Sequence, residues 1–120
     1  MAGRERLICE STRLVDGGDG VRFEIRRGAD NAPAFVVRFR GRPYAYVNRC
    51  AHIPVELDWE EGRFFDYSGL YLICATHGAT YKPESGQCAY GPCDRRGLIP
   101  IAIEERDGGI YLKEDDSTDV

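Results

Sequence analysis

Two short segments, Cys50-Ala51-His52 and Cys74-Ala75-Thr76-His77, place the strongest constraint on what this chain can fold into. Each segment offers one thiolate and one imidazole, and the only two histidines of the sequence lie here. This combination of donors points to a metal centre with mixed sulfur and nitrogen ligation. The rest of the chain must then bring the two segments together.

The composition is that of an ordinary globular protein, with 42% hydrophobic and 30% charged residues. A chain of 120 residues corresponds to one domain and can bury a core without disulfide staples. No apolar run approaches the ~20 residues of a membrane span, and no apolar signal segment follows the charged start, Met1 to Arg6. We expect a cytoplasmic protein without a membrane partner. The net charge of −4 also disfavours nucleic acid as a partner.

Short β-type runs between turn residues predict an all-β fold of about ten strands. Val21 to Arg26 alternates apolar and charged residues, as a half-buried strand does. Ala34 to Arg40 and Tyr44 to Asn48 predict a hairpin around Gly41-Arg42 that leads directly into the first metal-binding segment.

Three further predictions concern the remaining connections. Asn31-Ala32-Pro33 is expected to break the chain, and Leu57 to Gly62 to hold a turn of helix. Leu98 to Glu104 and Gly109 to Leu112 are expected to form a closing hairpin.

Two kinds of metal centre suit the donors. A structural Cys2His2 zinc site has the same ligand types, although zinc fingers usually pair their cysteines together and their histidines together. In a sulfide-bridged diiron cluster, two thiolates can bind one iron and two imidazoles the other. The oxidised cluster is then electrically neutral, which makes it easier to bury, and a single added electron can be stabilised by nearby N–H groups. The mixed order within each segment favours the diiron cluster.

Cys50-x-His52 followed by Cys74-x-x-His77 resembles the signature of the Rieske [2Fe–2S] family. His77-Gly78-Ala79 continues like the second cluster-binding loop of that family, and Gly91-Pro92-Cys93 resembles its proline-containing third loop. The interval between the two motifs is a little longer than the commonest family spacing. The resemblance extends from the Val21 region to Leu112. It implies a Rieske-type antiparallel β-sandwich or barrel with a cluster-binding subdomain of two loops at one tip.

The resemblance also implies ligand roles. Cys50 and Cys74 would bind one iron of a single [2Fe–2S] cluster, and His52 and His77 would bind the other through Nδ1. Their Nε2 atoms would face solvent at the tip, where the electron would leave. On this reading residues 1–113 form one Rieske domain whose cluster-binding part spans about 48–93, and residues 114–120 form an acidic, disordered tail.

Four further residues, Gly78, Tyr81, Pro92 and Cys93, are expected to surround the cluster. Tyr81 matches a position where a tyrosine hydroxyl can reach a ligand sulfur, although a plain core aromatic is the alternative. Ala79 stands where high-potential members carry a serine directed at a bridging sulfide. Hydrogen bonds to sulfur raise the potential, and Ala79 cannot donate one. We therefore expect a midpoint in the lower half of the Rieske range, and a value above about +200 mV would contradict this expectation.

The other cysteines are expected to be reduced, because disulfides are rare in reducing compartments. Cys9 is predicted to be a small core residue. Cys88 and Cys93 flank the third loop, and a bond between them is the alternative, but the compartment favours reduced thiols there, with Cys93 packed near the cluster.

Together these features predict a small ferredoxin that carries single electrons between a reductase and an oxygenase or other redox enzyme. Docking would be transient, around the exposed histidine edges. A terminal oxygenase would need a second iron site with further histidines, and no Gly-rich dinucleotide motif is present. We therefore expect a component of an oxidoreductase system rather than an enzyme. A non-catalytic or redox-sensing subunit and a zinc-stabilised binding module are the alternatives.

Overall fold

The computed structural model describes residues 4–27, 30–50, 55–58, 60–75, 78–91 and 96–114. Within these residues the chain forms ten strands and one short 3-10 helix, Ser11–Arg13. The strands are β1 (Arg4–Glu10), β2 (Val21–Arg27), β3 (Asp30–Phe39), β4 (Arg42–Val47), β5 (Leu72–Ile73), β6 (Thr80–Tyr81), β7 (Cys88–Tyr90), β8 (Pro100–Ile101), β9 (Ile103–Arg106) and β10 (Gly109–Glu114). The predicted all-β class is confirmed.

The strands form three antiparallel sheets. The first has the order β1-β10-β9, the second β2-β3-β4-β8 and the third β5-β6-β7. The first two contain the longer strands. In the small third sheet, β5 leads into the second metal-binding segment and β7 leads into the third loop. Every strand pair in these sheets is antiparallel, as the resemblance implied.

Strand β3 is buried on both faces and lies between two hydrophobic clusters. Phe35 and Val37 belong to the cluster that also contains the cysteines of both metal-binding segments. Val36, on the opposite face, belongs to a second cluster with Cys9 and Ile110. Because successive side chains of a strand point to opposite faces, β3 packs against both clusters and connects them.

The β3–β4 hairpin positions the first metal-binding segment. Phe39 pairs with Arg42 across a two-residue turn. Arg40 and Gly41 both have positive φ, 51° and 84°, which is the geometry of a type I′ turn. The turn therefore lies one residue before the predicted Gly41-Arg42, and β4 then runs toward Cys50.

The structure corrects the predicted break at Asn31-Ala32-Pro33, because β3 continues through it and Pro33 pairs with Glu24 of β2. The ladder with β4 begins at Ala34, and at Pro33 the same edge of β3 contributes a carbonyl, which accepts a bond from the N–H of Asn48 at 2.8 Å, while no N–H is required there. A proline, which has no N–H group, is tolerated at such a position.

The described residues between 57 and 62 form bends and a turn, not the predicted helical turn. The closing hairpin is formed by β9 and β10, with a turn at Asp107 and Gly108. Strand β10 runs to Glu114, and residues 115–120 lie outside the described part of the chain. None of the described helices is long and apolar enough to cross a membrane.

An ion pair joins the first two sheets. Arg38 of β3 donates two hydrogen bonds to the carboxylate of Glu105 in β9, at 2.7 and 3.1 Å. These bonds lower the pKa of Glu105 from its ordinary value. The same guanidinium also donates to the carbonyl oxygens of Leu14 and Ser11, so it anchors the segment after β1.

Candidate metal centre

The first metal-binding segment begins at Cys50, just beyond β4. The Cys50 side chain is buried, and its backbone N–H donates to the carbonyl oxygen of Val55 at 2.7 Å. This bond closes a loop of five residues after the cysteine. The loop contains His52 and Pro54, both of which lie outside the described residues.

The second segment repeats this arrangement after β5. Cys74 is fully buried, and its N–H donates to the carbonyl oxygen of Ala79 at 2.8 Å, again five residues later. Gly78 closes the turn with a 2.8 Å bond to the carbonyl of Cys74, at a φ of 75° that favours glycine. The two segments therefore present their cysteines from loops with the same backbone closure. His77 lies outside the described residues.

A backbone hydrogen bond also connects the two loops. The N–H of Ala75, which follows the second cysteine, donates to the carbonyl oxygen of Leu57 at 3.1 Å. Leu57 lies on the chain that leaves the first loop and is itself fully buried. The separation between Cys50 and Cys74 is thus restrained by direct backbone pairing.

A buried polar clamp holds the base of the first loop. Asn48, before the loop, accepts a bond from the N–H of Leu57 at 2.9 Å and donates to the Asp58 carboxylate at 3.0 Å. Asp58 also accepts from the N–H of Gly62 at 2.9 Å and lies 3.6 Å from Nε of Arg22. The side chain of Asp58 has no exposed surface, so these partners replace its hydration.

Tyr81 lies on β6, the middle strand of the small sheet, and is fully buried. Its hydroxyl oxygen is 3.5 Å from Sγ of Cys50. A thiolate ligand has no hydrogen, so the tyrosine would be the donor in the metal-bound state. A hydrogen bond to a ligand sulfur stabilises added negative charge there.

A second buried tyrosine supports the turn that follows β6. Tyr46 of β4 donates its hydroxyl to the carbonyl oxygen of Pro83 at 2.6 Å. Burial is the main reason why the pKa of Tyr46 is raised far above its ordinary value, so the hydroxyl remains protonated. The bond joins the second sheet to the small sheet beneath the site.

The third loop approaches the second metal-binding loop through its backbone. Gly91 has a φ of 90°, and a Cβ atom there would lie 2.9 Å from the carbonyl oxygen of Gly78. Only glycine permits this approach. Pro92 and Cys93, which the sequence placed beside the cluster, lie outside the described residues.

The structure contradicts the prediction that Cys88 is a reduced thiol. Cys88 is disulfide-bonded, whereas Cys9, Cys50 and Cys74 are not. The prediction considered only the reducing compartment. Disulfide formation also depends on whether the fold brings two cysteines within bonding distance. Strand β7 places Cys88 at a fixed position beside the buried core, just before the sharp turn at Gly91.

The described residues fit a thiolate-bound cluster. Cys50 and Cys74 belong to one buried cluster, and neither is in a disulfide. No group of three or more histidine, cysteine or acidic side chains suited to a metal occurs among the described residues, which include neither histidine. The two thiols therefore provide half of the expected donor set, and His52 and His77 would provide the other half.

Sequence reasoning missed Asn48 and Asp58, and it disfavoured the disulfide at Cys88. An asparagine two residues before the first cysteine and an aspartate three residues after Val55 were the available signals. Such residues often bond to nearby backbone groups at loop ends. Neither signal revealed that the two side chains would bond to each other.

A family model for the Rieske [2Fe–2S] domain matches residues 6–105 of this chain. No curated protein sequence matches it closely. The comparison with solved structures finds many related chains.

Three of these solved structures are informative. A chain in the complex of reduced oxygenase and oxidized ferredoxin of carbazole 1,9a-dioxygenase is 23% identical, with a TM-score of 0.69 over 91% of this chain and 92% of that one. The Sphingomonas yanoikuyae B1 ferredoxin is 17% identical, with a TM-score of 0.71 over 93% of this chain and 100% of that one. The carbazole 1,9a-dioxygenase ferredoxin of Nocardioides aromaticivorans is 19% identical, with a TM-score of 0.70 over 92% and 98%.

These likenesses agree with the antiparallel sheets and paired loops described above. The family match covers most of the chain. The matched domain is one that binds a [2Fe–2S] cluster, which is the predicted cofactor. The chain therefore belongs to the Rieske [2Fe–2S] domain family.

Proposed function

We propose that this protein is a one-electron carrier whose [2Fe–2S] cluster is held by Cys50, His52, Cys74 and His77. The observation that carries the proposal is the matched geometry of the two cysteines. Both are buried, neither is in a disulfide, and each begins a loop closed by the same backbone bond five residues later. A cluster bound there supplies a reversible one-electron couple.

The residues around the thiols suit this task. Burial of Cys50 and Cys74 excludes water from their sulfur atoms. The Tyr81 hydroxyl, 3.5 Å from one sulfur, can stabilise the negative charge that an added electron brings. The bond between Ala75 and Leu57 restrains the relative position of the two loops. A rigid site changes its geometry little when it gains an electron, and this favours rapid electron transfer.

Within these 120 residues, no histidine remains for the second iron site of a terminal oxygenase. A mononuclear iron site of the oxygenase type uses two histidines and a carboxylate. Both histidines of these 120 residues lie in the Rieske motif. The related ferredoxin chain that occurs together with an oxygenase supports an oxygenase, or a similar redox enzyme, as the electron acceptor. A reductase would be the donor, and we place the protein in the cytoplasm.

The first experiment is purification under anaerobic conditions, followed by iron, sulfide and zinc analysis and by electron paramagnetic resonance. We expect about two iron and two sulfide per chain and the signal of a reduced Rieske cluster. Cys50→Ser, Cys74→Ser, His52→Ala and His77→Ala should each lose the visible absorption. A colourless protein with one zinc ion per chain would reject the proposal.

The second experiment tests the role of carrier. The reduced protein should transfer one electron per chain to an oxygenase component in a stopped-flow experiment. A redox titration should give a midpoint below about +200 mV, within the Rieske range. A cluster that titrates reversibly but transfers no electron to oxygenase components would favour the redox-sensing alternative.

A further inference from the structure

The guanidinium of Arg22 lies against the chain that leaves the first metal-binding loop. Arg22 of β2 pairs across the sheet with Phe35, which belongs to the hydrophobic cluster of the two cysteines. Its three guanidinium nitrogens each face a different carboxylate: Nη2 lies 2.7 Å from Glu56, Nε 3.6 Å from Asp58 and Nη1 4.0 Å from Glu61. One side chain of β2 thus contacts three acidic residues of the interval between the two metal-binding segments.

The three contacts differ in importance because the carboxylates differ in exposure. The side chains of Glu56 and Glu61 are 44% and 80% exposed, and exposed ion pairs contribute little to stability. The side chain of Asp58 has no exposed surface. A buried carboxylate costs free energy unless opposite charge and hydrogen bonds compensate it, and removal of one partner is strongly destabilising. Arg22 supplies compensating positive charge, so its contact with Asp58 is the one that stabilises the fold.

Asp58 connects Arg22 to both metal-binding segments. Its carboxylate accepts a bond from Asn48, which lies two residues before the first cysteine, and Asn48 accepts the N–H of Leu57. The carbonyl oxygen of Leu57 in turn accepts the N–H of Ala75, which follows the second cysteine. A continuous series of contacts therefore runs from β2 to the bases of both loops.

We propose that Arg22 is a positioning residue of the metal centre. It holds Asp58, and through Asp58 and Asn48 it fixes the relative position of the two cysteine loops. Its positive charge also offsets the carboxylates, which would otherwise oppose the addition of an electron to the cluster. Arg22 touches no reacting atom. The effect on the cluster rests on the proposed function, whereas the effect on the loops does not.

The sign of the electrostatic effect follows from the charges. One guanidinium and three carboxylates carry a net charge of −2, and replacement of Arg22 by a neutral residue leaves −3. The oxidised cluster is neutral and gains one negative charge on reduction, so more negative surroundings disfavour the reduced state. Arg22→Gln should therefore lower the midpoint potential.

The first test measures the position of the loops and does not depend on the cluster. Amide hydrogen exchange is followed by mass spectrometry in the natural protein, in Arg22→Gln and in Arg42→Gln. Arg42 is the matched control, because it is exposed at the start of β4, at the far end of that strand from Cys50. The Leu57 and Ala75 amides should exchange about tenfold faster in Arg22→Gln alone, the factor expected for loss of one contact to a charged group. Equal exchange in the two variants would overturn the proposal.

The second test asks whether Arg22 acts through the buried carboxylate. Asp58→Asn is combined with Arg22→Gln, and urea unfolding is measured for the natural protein, the two single variants and the double variant. Because an amide carries no charge to compensate, Arg22→Gln should lower the free energy of unfolding less in the Asp58→Asn background than in the natural protein. Equal losses in the two backgrounds would overturn the proposal. If Arg22→Gln does not fold, Arg22→Lys is measured in the same two backgrounds.

The third test is a redox titration of the natural protein, Arg22→Gln, Arg22→Lys and Arg42→Gln. The midpoint of Arg22→Gln should be lower than that of Arg42→Gln, although each variant loses one positive charge. Arg22→Lys keeps the charge and should restore most of the shift. Equal midpoints in Arg22→Gln and Arg42→Gln would overturn the proposal. If the protein contained no iron, the proposed function would fail, but the exchange rates and the unfolding cycle would still decide this inference.

Discussion

Substitution of Asn48 by alanine tests whether the polar clamp maintains the first metal-binding loop. Asn48 is 1% exposed and bonds to the N–H of Leu57 and to the Asp58 carboxylate. Alanine removes both bonds without adding a competing group. The Leu57 N–H would remain buried without a partner, because Leu57 has no exposed surface.

The expected cost follows from these two losses. A buried donor without a partner costs about 1–3 kcal/mol, and a hydrogen bond to a charged group contributes about 1.5–3 kcal/mol. Asp58 keeps its bond to the Gly62 N–H, which limits the second loss. We therefore expect Asn48→Ala to lower the free energy of unfolding by about 3 kcal/mol, a large part of a typical 5–15 kcal/mol.

Urea unfolding at pH 7 measures the effect, together with the iron content of the purified variant. Asn31→Ala is the matched control, because Asn31 is exposed on β3, and it should change the stability by less than about 0.5 kcal/mol. The iron content of Asn48→Ala should be lower than that of the control. An unfolding midpoint within error of the natural protein, with an unchanged urea dependence, would refute the proposed role of the clamp.

Three further predictions concern the tyrosine, the third loop and the ion pair. Tyr81→Phe removes a hydrogen bond to the Cys50 sulfur. A bond of about 0.5–1.5 kcal/mol corresponds to a midpoint potential lower by about 20–65 mV for a one-electron couple. An unchanged midpoint would assign the tyrosine to packing. Gly91→Ala should reduce stability and cluster content more than Gly41→Ala. Both glycines have positive φ, but of the two only Gly91 would bring an added Cβ within 2.9 Å of a backbone oxygen. Equal losses of stability in urea unfolding would contradict a role of that contact. Glu105→Gln should cost about 1 kcal/mol at pH 7. Because the folded pKa of Glu105 is lowered, its contribution exists above the unfolded pKa of about 4.3 and is lost as the pH falls through the folded value. Urea unfolding across this range should show the difference between variant and natural protein vanish at low pH, and a constant difference would refute it.

Much of the fold and the nature of the site follow from local features of the sequence. Strands appear where apolar residues alternate, as in Val21 to Arg26, because the period of two is a property of the strand itself. The two cysteine–histidine segments predict the donor types and, from them, a [2Fe–2S] centre. The positive φ at Gly41, Gly78 and Gly91 also belongs to turns that the sequence marks with glycine.

The sequence by itself therefore determined the strand pattern and the family, and it predicted the donor set. Only the tertiary structure decided that Asn48 would bond to Asp58, that Pro33 would lie within β3, and that Cys88 would be oxidised rather than reduced. Each of these outcomes depends on which distant segments meet. A side chain's bonding partners are set by the packed neighbours around it, and a local pattern of residue types carries no information on those neighbours.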